Sequence, residues 1–140
     1  MERLAAYELS EPIPVPDRTL HRVPLGSART PLPDVEQTDA GIVFRRRGWY
    51  EVLLTVAWDS GNQSGTRFSH TSIPDHHPLH SEAINAKVLN EISGGRQLLR
   101  GNSIFGPDSV DTIMLEVWQD SGNRVTVHEA SLCVRPLGEA

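Results

Sequence analysis

The stretch Gly48-Trp49-Tyr50-Glu51-Val52-Leu53-Leu54-Thr55-Val56-Ala57-Trp58 decides how this chain is read. Tyr50, Val52, Leu54, Val56 and Trp58 alternate with Trp49, Glu51, Leu53, Thr55 and Ala57. The first set is wholly apolar or aromatic, as a strand facing a core requires. The second set is mostly apolar too, whereas a solvated strand face carries more polar residues. A strand that is apolar on both sides is expected to be covered twice, once by its own core and once by another subunit.

Outward from this strand the pattern continues. Gly41 to Arg45 reads as a short strand before it, and Asp59-Ser60-Gly61-Asn62 reads as a turn after it. Thr112 to Gln119 is a second strong strand with Ile113, Leu115 and Val117 on one face. Asp120-Ser121-Gly122-Asn123 has hairpin chemistry, because Gly and Asn tolerate the positive φ such turns need. Arg124 to His128 is then the returning strand and Ala130 to Arg135 the last. Short strands separated by turns in this way predict an all-β sandwich or barrel. Residues 82–99 fit both periods: Ile84, Val88 and Ile92 suit a helix, and Ile84, Ala86, Val88 and Ile92 suit a strand, with Gly94-Gly95 ending either one.

Six of the ten prolines, Pro12, Pro14, Pro16, Pro24, Pro31 and Pro33, fall early in the chain. Proline gives no hydrogen to a ladder, so it is confined to edges, strand starts and extended arms. Residues 1–18 are therefore expected to be an extended proline-rich arm. Residues 19–140 are expected to form the domain, with 19–40 as edge strands and turns.

At 140 residues the chain has the length of one domain, and a core of that size needs no covalent staple. Thirteen Lys and Arg against 18 Asp and Glu leave a net charge of −5, the reverse of what a nucleic-acid binder carries. No apolar run is long enough for a signal peptide or a membrane span. The expected location is cytoplasmic, or on a particle assembled in the cytoplasm. The single cysteine, Cys133, sits in a strand-like segment and reads as a small buried thiol.

Two segments resemble a known family. Gly48–Trp58, GWYEVLLTVAW, is similar to the glycine–any–tyrosine strand of the tumour necrosis factor superfamily, which includes complement globular heads and bacterial relatives. GIVFRRR looks like that family's preceding short strand. Ile113–Leu137, IMLEVWQDSGNRVTVHEASLCVRPL, resembles its closing hairpin, where a strand runs into a serine–glycine turn and returns. The resemblance covers roughly residues 20–137. One departure is the stretch Gly106-Pro107-Asp108-Ser109-Val110-Asp111, longer than the Gly-Asp pair the family usually carries there. The resemblance implies a jelly-roll β-sandwich of about ten antiparallel strands that associates as a tight homotrimer. It also implies that one sheet of each subunit packs along the threefold axis.

Trp49, Tyr50, Val52, Leu53, Leu54, Val56, Trp58, Ile113, Leu115, Val117 and Trp118 are then the expected core or trimer interface. The three tryptophans suit a sugar ring as well, but strong apolar alternation around them favours packing. Arg45-Arg46-Arg47 suits an anion, yet alternate strand positions point to opposite faces, so a solvated turn with local ion pairs is the plainer reading. The densest chemical cluster is His70, Asp75, His76, His77, His80 and Glu82, all ligand types for a divalent metal. Pro78 disfavours a helix joining His76 to His80, and the spacing misses the helical zinc-protease signature. No nucleophile elbow and no glycine-rich phosphate loop is present.

The expected function is non-enzymatic and cofactor-free: a homotrimeric binding or structural module presenting loops to a protein or glycan partner. Neither nucleic acid nor membrane is an expected partner. The alternative is a small metal-dependent cupin-type β-barrel enzyme using His70, His76, His77 and His80.

Overall fold

The structure, a computed structural model, describes residues 4–58, 66–72, 78–85, 92–101, 109–110 and 112–138. The described residues hold strands and turns and no helix. In chain order the strands are β1 (Ala5–Glu8), β2 (Ile13–Val15), β3 (His21–Arg22), β4 (Val35–Thr38), β5 (Gly41–Phe44) and β6 (Gly48–Trp58). They continue as β7 (Thr66–Ser72), β8 (Pro78–Asn85), β9 (Ile92–Gly101), β10 (Ser109–Val110), β11 (Thr112–Gln119) and β12 (Val125–Gly138). One sheet runs β1-β12-β6-β9-β10, with β2 also on β12; the other runs β4-β5-β11-β7-β8, with β3 also on β11. Pairing is antiparallel throughout except between β9 and β10. The architecture is the expected jelly-roll sandwich.

The two strands with the clearest period form with the expected bounds. In β6, Tyr50, Val52, Leu54, Val56 and Trp58 are buried, and Trp49, Glu51, Leu53 and Thr55 lie on the other side of the sheet. In β11, Ile113, Leu115 and Val117 are buried between the sheets. The Phe44 and Tyr50 rings meet at 4.6 Å, and the Arg67 guanidinium stacks over Trp58 at 5.5 Å from its centroid. Gly41 permits the β4–β5 turn: its φ is +137°, and a Cβ there would collide with the Ile113 carbonyl oxygen.

Four expectations are corrected. The segment 1–18 is extended, but its described part is not a detached arm. Ala5–Glu8 pairs with β12, Ile13–Val15 pairs with β12 further along, and Ala5, Tyr7 and Val15 are buried in the core. Two apolar side chains on a four-residue strand are enough to hold it there, and Pro14 is tolerated because β2 has a single neighbour. Second, the described parts of 82–99 are strand, and Gly94 and Gly95 lie inside β9 opposite Thr55 and Leu54 rather than ending it.

Third, Asp120–Asn123 does not close a hairpin, for β11 and β12 belong to different sheets. The turn is a corner between the layers. Buried Gln119 donates to the Val15 carbonyl at 3.0 Å and to the Asn123 carbonyl at 2.6 Å, and it accepts from the Ser121 amide at 2.8 Å. The Gly122 amide donates to the Asp17 carboxylate at 2.8 Å. These bonds tie the turn to the start of the chain instead of to a returning strand. Fourth, the two expected final strands are one. β12 runs unbroken through a bulge between Val127 and Glu129, so the buried positions pass from Val125 and Val127 to Ala130, Leu132 and Val134.

Candidate self-association face

Antiparallel register places directly opposed residues on the same side of a sheet. Across β1, β12 and β6, the trio Ala6, Cys133 and Leu53 forms one row on the side away from the core. The next row, across β12, β6 and β9, is Arg135, Glu51 and Leu98. Leu53 is 42% exposed and Leu98 is 49% exposed. Leu4, immediately before β1, and Leu137, near the end of β12, are exposed as well. Trp49 and Thr55 flank Leu53 along β6 and are half-buried. Arg96 of β9 stands opposite Leu53 and extends the first row, and in the second row Arg135 Nη2 lies 3.0 Å from Glu51 Oε1. The face joins open leucines to this ion pair, with exposed Glu8 at its β1 edge and Arg96 and Arg100 at its β9 edge.

Cys133 is half-buried on this face, not in the core. The bulge in β12 sets that side, and a period read without the bulge cannot find it. Burial pushes its thiol upward, the Glu8 carboxylate adds to the effect, and a hydrogen bond with Ser131 opposes it. A thiol held protonated is a weak nucleophile.

The other expected site residues divide by place. Tyr50, Val52, Leu54, Val56 and Trp58 from one sheet meet Ile113, Leu115 and Val117 from the other in the core. Leu53 and Trp49 belong to the outer face, and Trp118 is half-buried on the second sheet. Leu98, Ala6 and Leu4 are members of the face that sequence reasoning did not select. Leu98 lay in the stretch with two readings, and the other two in the supposed arm.

Asp75, His76 and His77 lie outside the described residues. His70 is on β7 opposite Ser81, while His80 and Glu82 are on β8 opposite Thr71 and Ser69. His70 is thus one register position out of step with the other two. Among the described residues no group of three or more His, Cys, Asp or Glu is placed to hold a metal ion. The three arginines are exposed on the β5–β6 turn, with Arg45 2.7 Å from Glu36 and Arg46 3.8 Å from Asp34.

No protein-family model matches the sequence, and no curated protein does. Solved structures do match in shape. Eiger TNF from S. frugiperda superposes with a TM-score of 0.65 at 15% identity, over 99% of this chain and 94% of that one. The fold is a TNF-like jelly roll. Vertex protein P5 of PRD1 has a TM-score of 0.61 at 13% identity, over 96% of each chain. Murine APRIL has a TM-score of 0.58 at 11% identity, over 96% of this chain and 100% of that one. At these identities the likeness is one of fold.

Proposed function

We propose that this chain assembles as a homotrimer by covering the outer face of the β1-β12-β6-β9 sheet, and that the trimer is a non-enzymatic module presenting its connecting segments to a protein or glycan partner. The observation that carries the reading is the row Ala6–Cys133–Leu53 with Leu98 beside it, an open apolar surface on a sheet whose other side already packs the core. Contiguous exposed apolar surface of this kind marks an interaction site. A closed ring uses it without leaving an open, repeating contact. The TNF-like fold supports the same choice, as does the position of the ion pair Arg135–Glu51 among leucines. The likeness to the PRD1 vertex protein favours one variant of this reading, a head on a larger particle.

Light scattering on purified protein, together with elemental analysis, tests the proposal. The expected mass is three times the 15.5 kDa of one chain, without stoichiometric metal. A monomer at micromolar concentration refutes the assembly, and a dimer with one metal per chain favours the cupin-type alternative.

A further inference from the structure

The β5–β6 turn, the end of β12 and residues 32–35 line a partly open cavity of about 220 Å³. Leu32, Pro33, Trp49, Tyr50 and Pro136 supply its apolar wall. Its charged lining is asymmetric. Arg46 stands 3.8 Å from Asp34, and the Tyr50 hydroxyl donates to the Arg46 carbonyl at 2.7 Å, so this side of the cavity is internally matched. Arg45, next along the turn, is held by Glu36 outside the cavity. Arg47 also lines the cavity, is exposed, and takes no ion-pair or hydrogen-bond partner among the described residues. A guanidinium without a partner among the described residues, beside an apolar chamber, complements a single negative charge carried on an apolar body. The forked donors of arginine match a carboxylate with two parallel bonds. Size agrees: a cavity of about 150 Å³ holds benzene, so this one accommodates a ring with a short acidic tail.

We propose that this cavity binds a small monocarboxylate with an aromatic or branched apolar body, seated on Trp49, Pro33 and Pro136 with its carboxylate on Arg47. Asp34 then serves selectivity, since its carboxylate repels a second negative charge on the ligand. Leu32, Pro33 and Arg47 lie outside the sheet proposed to assemble, whereas Trp49 and Pro136 belong to it, so the site borders the proposed trimer contact.

Isothermal titration calorimetry on the whole chain with 4-phenylbutyrate tests this. Saturable binding is expected, with 4-phenylbutyramide weaker by about tenfold or more, the scale of a hydrogen bond to a charged group. The dianion 2-phenylsuccinate is also expected to bind more weakly than the monoanion. Arg47→Gln should lose the preference for acid over amide while melting at the wild-type temperature, because Arg47 is exposed. A tripeptide ending in a phenylalanine carboxylate, too large for the chamber, is expected to bind less tightly than the small acid. Equal affinity for acid and amide, undiminished acid binding by Arg47→Gln, or no heat at millimolar ligand would each overturn the assignment. Tighter binding of the tripeptide would overturn the small-molecule source in favour of a peptide carboxyl terminus.

Discussion

Leu53 and Leu54 are neighbours in one strand with opposite duties, and substitutions there separate assembly from folding. Leu54 is 2% exposed and faces the core, while Leu53 is 42% exposed and faces outward. Full burial of a leucine is worth about 1.5–3 kcal/mol, so covering the open part of Leu53 supplies about 0.6–1.3 kcal/mol per copy and about 2–4 kcal/mol per trimer. Truncation to alanine is therefore expected to weaken assembly by roughly 30-fold to 1000-fold, at about tenfold per 1.4 kcal/mol. Leu53→Asp weakens it further, because each copy would carry a carboxylate into an apolar contact. Neither change removes a core contact, so the urea midpoint of the dissociated chain should stay near that of the dissociated wild type. Leu54→Ala leaves a cavity between the sheets and should cost the protomer about 2–5 kcal/mol. Sedimentation equilibrium at several concentrations, paired with urea unfolding, reads both quantities. A Leu53→Asp protein that keeps the wild-type oligomeric mass would refute the assignment of this face. So would a Leu53→Ala protein destabilised, once dissociated, as much as Leu54→Ala.

Tyr7 is 2% exposed on β1, so Tyr7→Ala should lower the unfolding free energy by about 3–5 kcal/mol; a loss below about 1 kcal/mol by urea titration would return β1 to the status of a dispensable arm. Burial raises the Tyr7 and Tyr50 phenols above the usual value of 10.0, with Asp34 adding at Tyr50 and Arg46 opposing. A raised folded value means the neutral form is preferred in the fold, so this stability is complete below pH 10 and is lost as pH rises through the folded values. Melting temperature should hold to about pH 9 and fall above pH 10, with a shallower fall in the Tyr7→Phe, Tyr50→Phe double variant; identical slopes would contradict the assigned cause. Replacing His76, His77 and His80 with alanine should change stability by no more than about 0.5 kcal/mol, and zinc should leave the melting temperature where it was. A zinc-induced rise that the triple variant loses would move the site of function to those histidines.

Long strands with an unbroken period of two were legible, and short or interrupted ones were not. β6 and β11 each repeat their buried positions often enough to exclude a helix, so their bounds and inward sets followed from the residues alone. β1 has only Ala5 and Tyr7 to bury, too few to show a period, and nearby prolines argued for an arm. The Ser-Gly-Asn turn after β11 carries backbone chemistry but no information about which strand comes next. A hairpin and a corner between sheets need the same positive φ, here +89° at Gly122. Sheet membership distinguishes them, together with the bonds from Gln119 to Val15 and from Gly122 to Asp17, both of which join residues more than a hundred positions apart. Of the outer face, Leu53 was visible from its strand. Its partners Leu98 and Ala6 became visible only with register.

The bulge at His128 ties fold to proposed function. Before it, odd-numbered residues Val125 and Val127 are buried against β2; after it, even-numbered Leu132 and Val134 are buried against β1 and β6. A strand without the extra residue would keep odd positions inward and send Cys133 and Arg135 into the core, because a one-residue slip exchanges the two faces entirely. That arrangement would bury a guanidinium away from Glu51 and expose Leu132 and Val134 to water. The bulge avoids both costs at once. It puts the small side chains Ser131 and Cys133 beside Leu53 and Ala6 on the outer face, where close approach of a second chain needs low relief. It also leaves Arg135 beside Glu51, so these two charges are paired within one protomer. An ion pair made within one protomer can be covered by an identical copy without stranding either of its charges. The irregularity that hid the last strand from sequence reading is thus what turns Cys133 and Ser131 toward the proposed contact.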